Sequence, residues 1–200
     1  MIKGYDLMEI CIFAASSDKV DPRYGEAVKS FGELAAEAGH GIVYGGGRGG
    51  LMGKCAKACF NKGGRVTGIA PGFFDIPGVL MKSCGEFILT DTMAERKELM
   101  VSKSDAFVLL PGGIGSLDEF FEVLTLKQLG KIDKPIVILN TSGYYDKMLE
   151  FLKQMAEEKF LGSDCMGIFK VCSEPEEIIP EILRKDPETP YFRRIADYNR

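Results

Sequence analysis

At 200 residues, with 46% hydrophobic and 27% charged residues, the chain has the make-up of one large globular domain with ample apolar material for a core. A formal net charge of −4 excludes the overall basic footprint of a nucleic-acid binder, and no apolar run approaches the roughly 20 residues that a membrane span needs. The single histidine, His40, excludes a histidine-rich metal site and leaves a Ser-His-Asp triad only one route.

The first residues, Met1 to Glu9, hold one lysine and two acids ahead of a short apolar run, unlike an export signal. Six cysteines (11, 55, 59, 84, 165 and 172) show no Cys-x-x-Cys spacing and read as reduced thiols of a cytoplasmic protein. Strands are expected at Ile10–Ala14, Ile42–Tyr44, Val66–Ala70, Glu86–Leu89, Ala106–Leu110, Ile136–Leu139 and Ile168–Val171. Their Ile, Val, Leu and Phe content without polar alternation predicts strands covered on both faces.

Amphipathic segments lie between them. Asp21-Pro22 marks a helix start, followed by Tyr24, Val28, Phe31, Leu34, Ala35 and Ala38 at helical spacing. Cys55 and Cys59, one turn apart on a second helix, read as buried small residues. His40 in Ala-Gly-His-Gly reads as a cap or turn residue. A helix is expected to start at Asp91–Met100, another to span Leu117–Leu129 with Leu117, Phe120, Phe121, Leu124 and Gln128 on one stripe, and Gly130 to end it. Further helices are expected over Tyr145–Glu158 and Glu174–Leu183. This alternation predicts an α/β fold, a Rossmann-like doubly wound parallel sheet with helices on both faces, as one domain over residues 1–183. Residues 184–200, polar and broken at Pro187 and Pro190, read as a tail.

In such a fold the loops after the strand C-termini gather on one edge, where ligands bind. Three loops fall there: Ala15-Ser16-Ser17, Gly45–Gly50 and Pro111–Ser116. The last leaves a strand through Pro111, Gly112, Gly113, Ile114 and Gly115 and enters a helix carrying Ser116, Asp118 and Glu119. Bare glycine N–H groups and the positive end of a helix dipole make a seat for an anion, most often a phosphate. A carboxylate close behind it, Glu119, would stand beside whatever the phosphate carries.

Each motif has a bland alternative. Ser116-Leu117-Asp118-Glu119 fits a capping box, with Glu119 merely reaching back to the helix start. Gly45, Gly47 and Gly50 satisfy G-x-G-x-x-G, but no acid closes the next strand, so a mononucleotide or phosphate seat fits better than a dinucleotide site. Arg96 and Lys97 point about 100° apart on a helix, and with Glu95 and Glu98 beside them periodicity alone reads as a solvated face. Ser116 reads as a phosphate or cap hydroxyl, since no histidine lies nearby in sequence to activate it.

These residues resemble the LOG ("Lonely Guy") family of cytokinin riboside 5′-monophosphate phosphoribohydrolases, often labelled lysine decarboxylases. The family's Pro-Gly-Gly-x-Gly-Thr-x-x-Glu is matched by Pro111, Gly112, Gly113, Gly115, Ser116 and Glu119, with serine for threonine. Its Met-x-x-Arg-Lys is matched by Met93, Arg96 and Lys97. The glycine run before Leu51-Met52-Gly53, the stretch Gln128-Leu129-Gly130 to Asp133-Lys134-Pro135, and Gly143-Tyr144-Tyr145-Asp146 are similar too. Ala94 stands where many members have histidine, a departure that bears on base recognition.

The resemblance implies hydrolysis of the N-glycosidic bond of a nucleoside 5′-monophosphate, AMP or an N6-modified AMP, by a cytoplasmic homodimer that needs no metal or redox cofactor. It implies Arg96 and Glu119 as the catalytic pair, with Arg96 in an electrostatic role because arginine stays protonated. The substrate would meet Ser16, Gly45, Gly46, Gly47, Met93, Lys97, Gly112, Gly113, Gly115 and Ser116. No residue is assigned to protonate the leaving base. A decarboxylase would need pyridoxal phosphate and a Schiff-base lysine, and nothing singles one out. The alternatives are a carrier of a nucleotide or nucleotide-like cofactor on the same fold and a dehydrogenase built on Gly45–Gly50.

Overall fold

The structure, a computed structural model, describes residues 7–83 and 85–184. Seven strands form one sheet: β1 (Glu9–Phe13), β2 (Gly41–Tyr44), β3 (Val66–Pro71), β4 (Glu86–Thr90), β5 (Ala106–Leu109), β6 (Ile136–Leu139) and β7 (Lys170–Cys172). Every pairing is parallel, in the order β4-β3-β2-β1-β5-β6-β7. The chain builds outward from β1 to β4, then returns to the other side of β1 with β5. The β1–β5 boundary is therefore the switch point, where two successive loops diverge and leave a crevice at the strand C-termini.

Six helices cover the sheet: α1 (Pro22–Glu37), α2 (Gly50–Asn61), α3 (Met93–Ser102), α4 (Ile114–Gln128), α5 (Asp146–Glu157) and α6 (Ile178–Leu183). Successive side chains of a strand point to opposite faces. Ile10 and Ile12 of β1 accordingly join Val28, Phe31 and Cys55 of α1 and α2 in one core. Cys11 and Phe13 join Met100, Phe120 and Val123 of α3 and α4 in the other. Both faces being covered, β2, β5 and β6 are buried along their whole length, while polar side chains enter the other strands at Glu9, Thr67, Glu86, Thr90 and Lys170. α1 starts as expected, with the Asp21 carboxylate accepting the Arg23 N–H and Pro22 in the first turn. His40 is buried, and its Nδ1 accepts the Met8 N–H at 3.3 Å, a structural role at the entry to β1 and β2. Cys55 and Cys59 are buried free thiols.

Three expectations are corrected. α4 begins at Ile114, three residues before the apolar stripe suggests, because exposed Ile114 carries no burial signal although its backbone is helical. Its buried face is Phe120, Val123, Leu124 and Lys127, with Phe121 turned outward. Lys127 is tolerated there because its ammonium donates to the Lys134 carbonyl at 3.1 Å. β7 starts at Lys170, since Ile168, though buried and apolar like a strand residue, caps a short 3-10 turn over Ser163–Gly167 with helical backbone angles. The segment expected as a helix from Glu174 divides into a 3-10 turn, Pro175–Glu177, and α6. Of the expected tail, residues 185–200 lie outside the described residues, as does Cys84.

α1 and α2 pack closely enough that a Cβ on Gly32 would collide with the Cys55 carbonyl and stand 3.1 Å from the Ala58 Cβ. Helix propensity favours Gly32→Ala by about 0.8–1 kcal/mol, but forcing a methyl against backbone costs about 1–3 kcal/mol. The packing term wins, so Gly32→Ala is expected to lower the midpoint of urea denaturation. A midpoint at or above wild type would show that the helices part freely.

Candidate active site

The loops after β1, β2 and β5 meet at the switch point as the parallel topology requires. The Ala15 N–H donates to the Pro111 carbonyl at 3.1 Å, tying the first loop to the third. The Met52 N–H donates to the Ala15 carbonyl at 3.2 Å, and the Asp18 carboxylate accepts the Gly50 N–H at 2.9 Å, tying the first to the second. Ser16 is exposed in the middle of this junction.

The glycine-rich loop serves packing more than ligand contact. Gly46 and Gly50 have positive φ, 75° and 70°. A Cβ on Gly45 would strike the Arg96 guanidinium, so the missing side chain makes room for that arginine. The Arg48 N–H goes to the Val79 carbonyl at 2.8 Å, and the Gly46 carbonyl accepts the Met81 N–H at 2.9 Å. With Gly47 bridged to Leu80, the loop between β3 and β4 lies against it as a short antiparallel contact. A pyrophosphate in the dinucleotide manner would need the α2 N-terminus, where the Asp18 carboxylate already takes an amide. That position and the missing ribose acid both disfavour a dehydrogenase.

The phosphate-type loop differs. α4 starts from Gly113 with no side-chain cap, and Gly113, Ile114 and Gly115 are exposed. Ser116 is the third residue of the helix, buried, its hydroxyl packed against Gly112. Glu119 lies one turn further in, beyond reach of the helix start, so the capping-box alternative fails. Its carboxylate instead meets Arg96 at 2.6 Å, with side-chain exposures of 12% and 8%.

Arg96 comes from α3, which starts with the Thr92 hydroxyl accepting the Glu95 N–H at 3.1 Å and the Glu95 carboxylate accepting the Asp91 N–H at 2.8 Å. With Glu95 engaged as a cap, Arg96 points inward, four residues before buried Met100. Its Nε donates to the carbonyl of Ile69 in β3, 3.2 Å away. The solvated-face reading is thus wrong for Arg96. The signal was present: Arg96 shares the stripe of Met93 and Met100, and an arginine on an apolar stripe is informative.

Glu119 lines a small cleft together with Phe13, Met100 and Val123, with Lys97 and Glu122 at the same cleft. Burial raises its pKa above the ordinary carboxylate value, while the Arg96 charge and hydrogen bond pull the other way. Lys97 bridges Asp118 at 3.3 Å and Glu122 at 2.5 Å, bonds that raise its pKa. It clamps α3 to α4, while Met93, partly exposed, opens the helix. Contacts thus tie the three loops to one another, and both Gly45 and Glu119 to Arg96. Sequence reasoning missed Asp18 and gave Tyr144 and Tyr145 no role. A lone acid in a loop carries no signal of the amide it caps.

A buried carboxylate held by a guanidinium, one turn behind an uncapped helix N-terminus, can seat a phosphate and present a base or negative charge to the group attached to it. A family model described as "Possible lysine decarboxylase" matches residues 52–182. A cytokinin riboside 5′-monophosphate phosphoribohydrolase of Rhodococcoides fascians is 36% identical over 174 residues, 86% of this chain and 88% of the relative. One from Arabidopsis thaliana is 35% identical over 179 residues, 90% of this chain and 82% of the relative. In fold, the molybdenum cofactor binding protein of Rippkaea orientalis superposes with a TM-score of 0.67 at 20% identity, covering 90% of this chain and all of that one. The family match and these relatives show that the chain belongs to the LOG family of cytokinin riboside 5′-monophosphate phosphoribohydrolases.

Proposed function

We propose that this protein hydrolyses the N-glycosidic bond of a nucleoside 5′-monophosphate, AMP or an N6-modified AMP, to free base and ribose 5-phosphate. The observation that carries the reading is the buried Arg96–Glu119 pair one turn behind the uncapped α4 N-terminus. The 5′-phosphate sits at Gly112, Gly113, Gly115 and Ser116, which fixes the ribose by a part of the substrate remote from the bond that breaks. As the C1′–N bond lengthens, positive charge grows on the ribose ring, and the Glu119 carboxylate stabilises it. Water adds its oxygen to C1′ and yields a proton to Glu119, and the bonding pair leaves with the base, which takes up a proton. Arg96 orients the carboxylate and keeps it charged. Ser16, Gly45, Gly46, Gly47, Met93 and Lys97 complete the walls, with Lys97 acting through its hold on α4.

The catalytic unit is the single domain of residues 1–183. No helix among the described residues is long and apolar enough to cross a membrane. The buried free thiols fit a reducing cytoplasm. The unit in solution is a homodimer, which would cover exposed Phe73, Phe74 and Ile76 and, on α4, Ile114 and Phe121. Sedimentation equilibrium is expected to return twice the chain mass, and a monomer mass at micromolar concentration would refute this.

Release of base from AMP and N6-isopentenyl-AMP tests the activity. Glu119→Gln keeps an oxygen to accept from Arg96 but cannot act as a base, so kcat is expected to fall about 10²–10⁴-fold with the fold retained. Wild type that binds AMP and releases no base would favour a carrier instead.

The raised pKa of Glu119 sets the pH dependence. Its ionised form is the active one, so kcat/KM is expected to rise with pH through a limb above the ordinary value of 4.5. Arg96→Met removes the charge that opposes burial, so that limb moves to higher pH. A limb that stays put or moves down would remove Arg96 as the partner that keeps Glu119 charged. Stability runs the opposite way. Folding disfavours the ionised carboxylate, so the group favours the folded state most below 4.5 and loses that contribution as pH rises through its folded pKa.

A further inference from the structure

The loop between β6 and α5 has no part in the chemistry above, yet it grips the backbone of the phosphate loop. The Tyr145 hydroxyl donates to the Leu110 carbonyl at 2.8 Å and the Tyr144 hydroxyl to the Gly112 carbonyl at 2.8 Å. Between them the Pro111 carbonyl accepts from Ala15, and the Gly113 carbonyl accepts the Leu117 N–H at 3.0 Å, the first bond of α4. Four consecutive carbonyls are thus held. In a planar trans peptide the C=O of one residue and the N–H of the next point in opposite directions. Tethering the carbonyls of Pro111, Gly112 and Gly113 therefore turns the N–H groups of Gly112, Gly113 and Ile114 away from the tethers. Successive N–H groups so presented at a helix N-terminus form an anion nest.

The tyrosines are themselves set in advance. The Asn140 side chain accepts the Tyr145 N–H at 2.7 Å and donates to Asp146 at 2.7 Å, bracketing the turn. Within it Ser142 and Gly143 take positive φ, 54° and 71°. The Tyr144 ring packs edge-on between Tyr24, centroids 5.4 Å apart, and Tyr145 at 4.7 Å. Neither hydroxyl depends on a bound ligand for its aim.

We infer that Tyr144 and Tyr145 are positioning residues that preset the amides of Gly112–Ile114 for the 5′-phosphate, by holding the carbonyls on the opposite side of the same peptides. This rests on the phosphate assignment proposed above. Tyr144→Phe is the clean probe, since it keeps the ring against Tyr24 and Tyr145 and removes only the tether on Gly112. With AMP as substrate, its KM is expected to rise about three- to tenfold, the worth of one hydrogen bond, with kcat within about twofold. The Ki of ribose 5-phosphate should rise by the same factor and that of adenine should stay unchanged. Tyr145→Phe, checked for folding by thermal denaturation, should act in the same direction.

An unchanged KM and ribose 5-phosphate Ki in folded Tyr144→Phe would overturn the inference. So would a fall in kcat alone, or an equal weakening of adenine, because either marks general disturbance of the site. If wild type releases no base from AMP, the hydrolase reading fails separately, and direct calorimetric binding of ribose 5-phosphate to wild type and Tyr144→Phe still decides the tether. Wild type that binds no ribose 5-phosphate would overturn the nest itself.

Discussion

A charged pair taken out of water constrains everything around it. Arg96 and Glu119 face each other at 2.6 Å from different helices. Desolvating two charges is expensive, and such a pair stands only where geometry and further hydrogen bonds compensate. Arg96 accordingly has a second acceptor at the Ile69 carbonyl, and Gly45 lacks the side chain that would displace its guanidinium. Lys97 adds a more exposed tie from α3 to Asp118 and Glu122. The position of α3 relative to α4 is thereby set by charge as well as by the packing of Met100 against Phe120 and Val123. Replacing such a pair by apolar residues is often neutral or stabilising in proteins, so its presence here is better explained by chemistry than by stability.

The backbone at the switch point follows a related logic. Loops that converge on a ligand site must satisfy their own polar groups while leaving some amides for the ligand. Here the carbonyls are satisfied internally, by Ala15, Tyr144, Tyr145 and the first helix bond, and Asp18 satisfies an amide of the glycine-rich loop. The α4 N-terminus is exposed and has no side-chain cap. One glycine-rich loop is thus turned inward to make space for an arginine, while the other is turned outward to present N–H groups. Both look alike as strings of glycine.

Much of the fold was legible because a parallel sheet covered on both faces writes itself as short apolar runs separated by amphipathic helices. All seven strands lie where those runs predict, with β7 shifted by two residues because Ile168 is buried in a turn. Burial and strand geometry give the same residue preferences over three or four positions, so periodicity cannot separate them. The start of α4 escaped for the opposite reason, since an exposed isoleucine in a first turn carries no periodic signal. At the site, Glu119 stood out through its glycine-rich approach. Arg96 was hidden among charged neighbours and emerged through its likeness to a family motif.

The sequence by itself determined the α/β class and the three loops at the strand C-termini, which follow from local periodicity and glycine chemistry and need no knowledge of contacts. Likeness to a family's motifs added the family and pointed to Arg96 and Glu119 as a pair. Only the tertiary structure decided that Glu119 pairs with Arg96 and does not close a capping box, that Lys97 serves the helix pair, and that Tyr144 and Tyr145 grip the loop 32 and 35 residues before them. Those are long-range facts. Which acceptor a side chain finds depends on how the strands order in the sheet, and the reversal of that order at β1 and β5 brings α3, α4 and the β6–α5 loop to one edge.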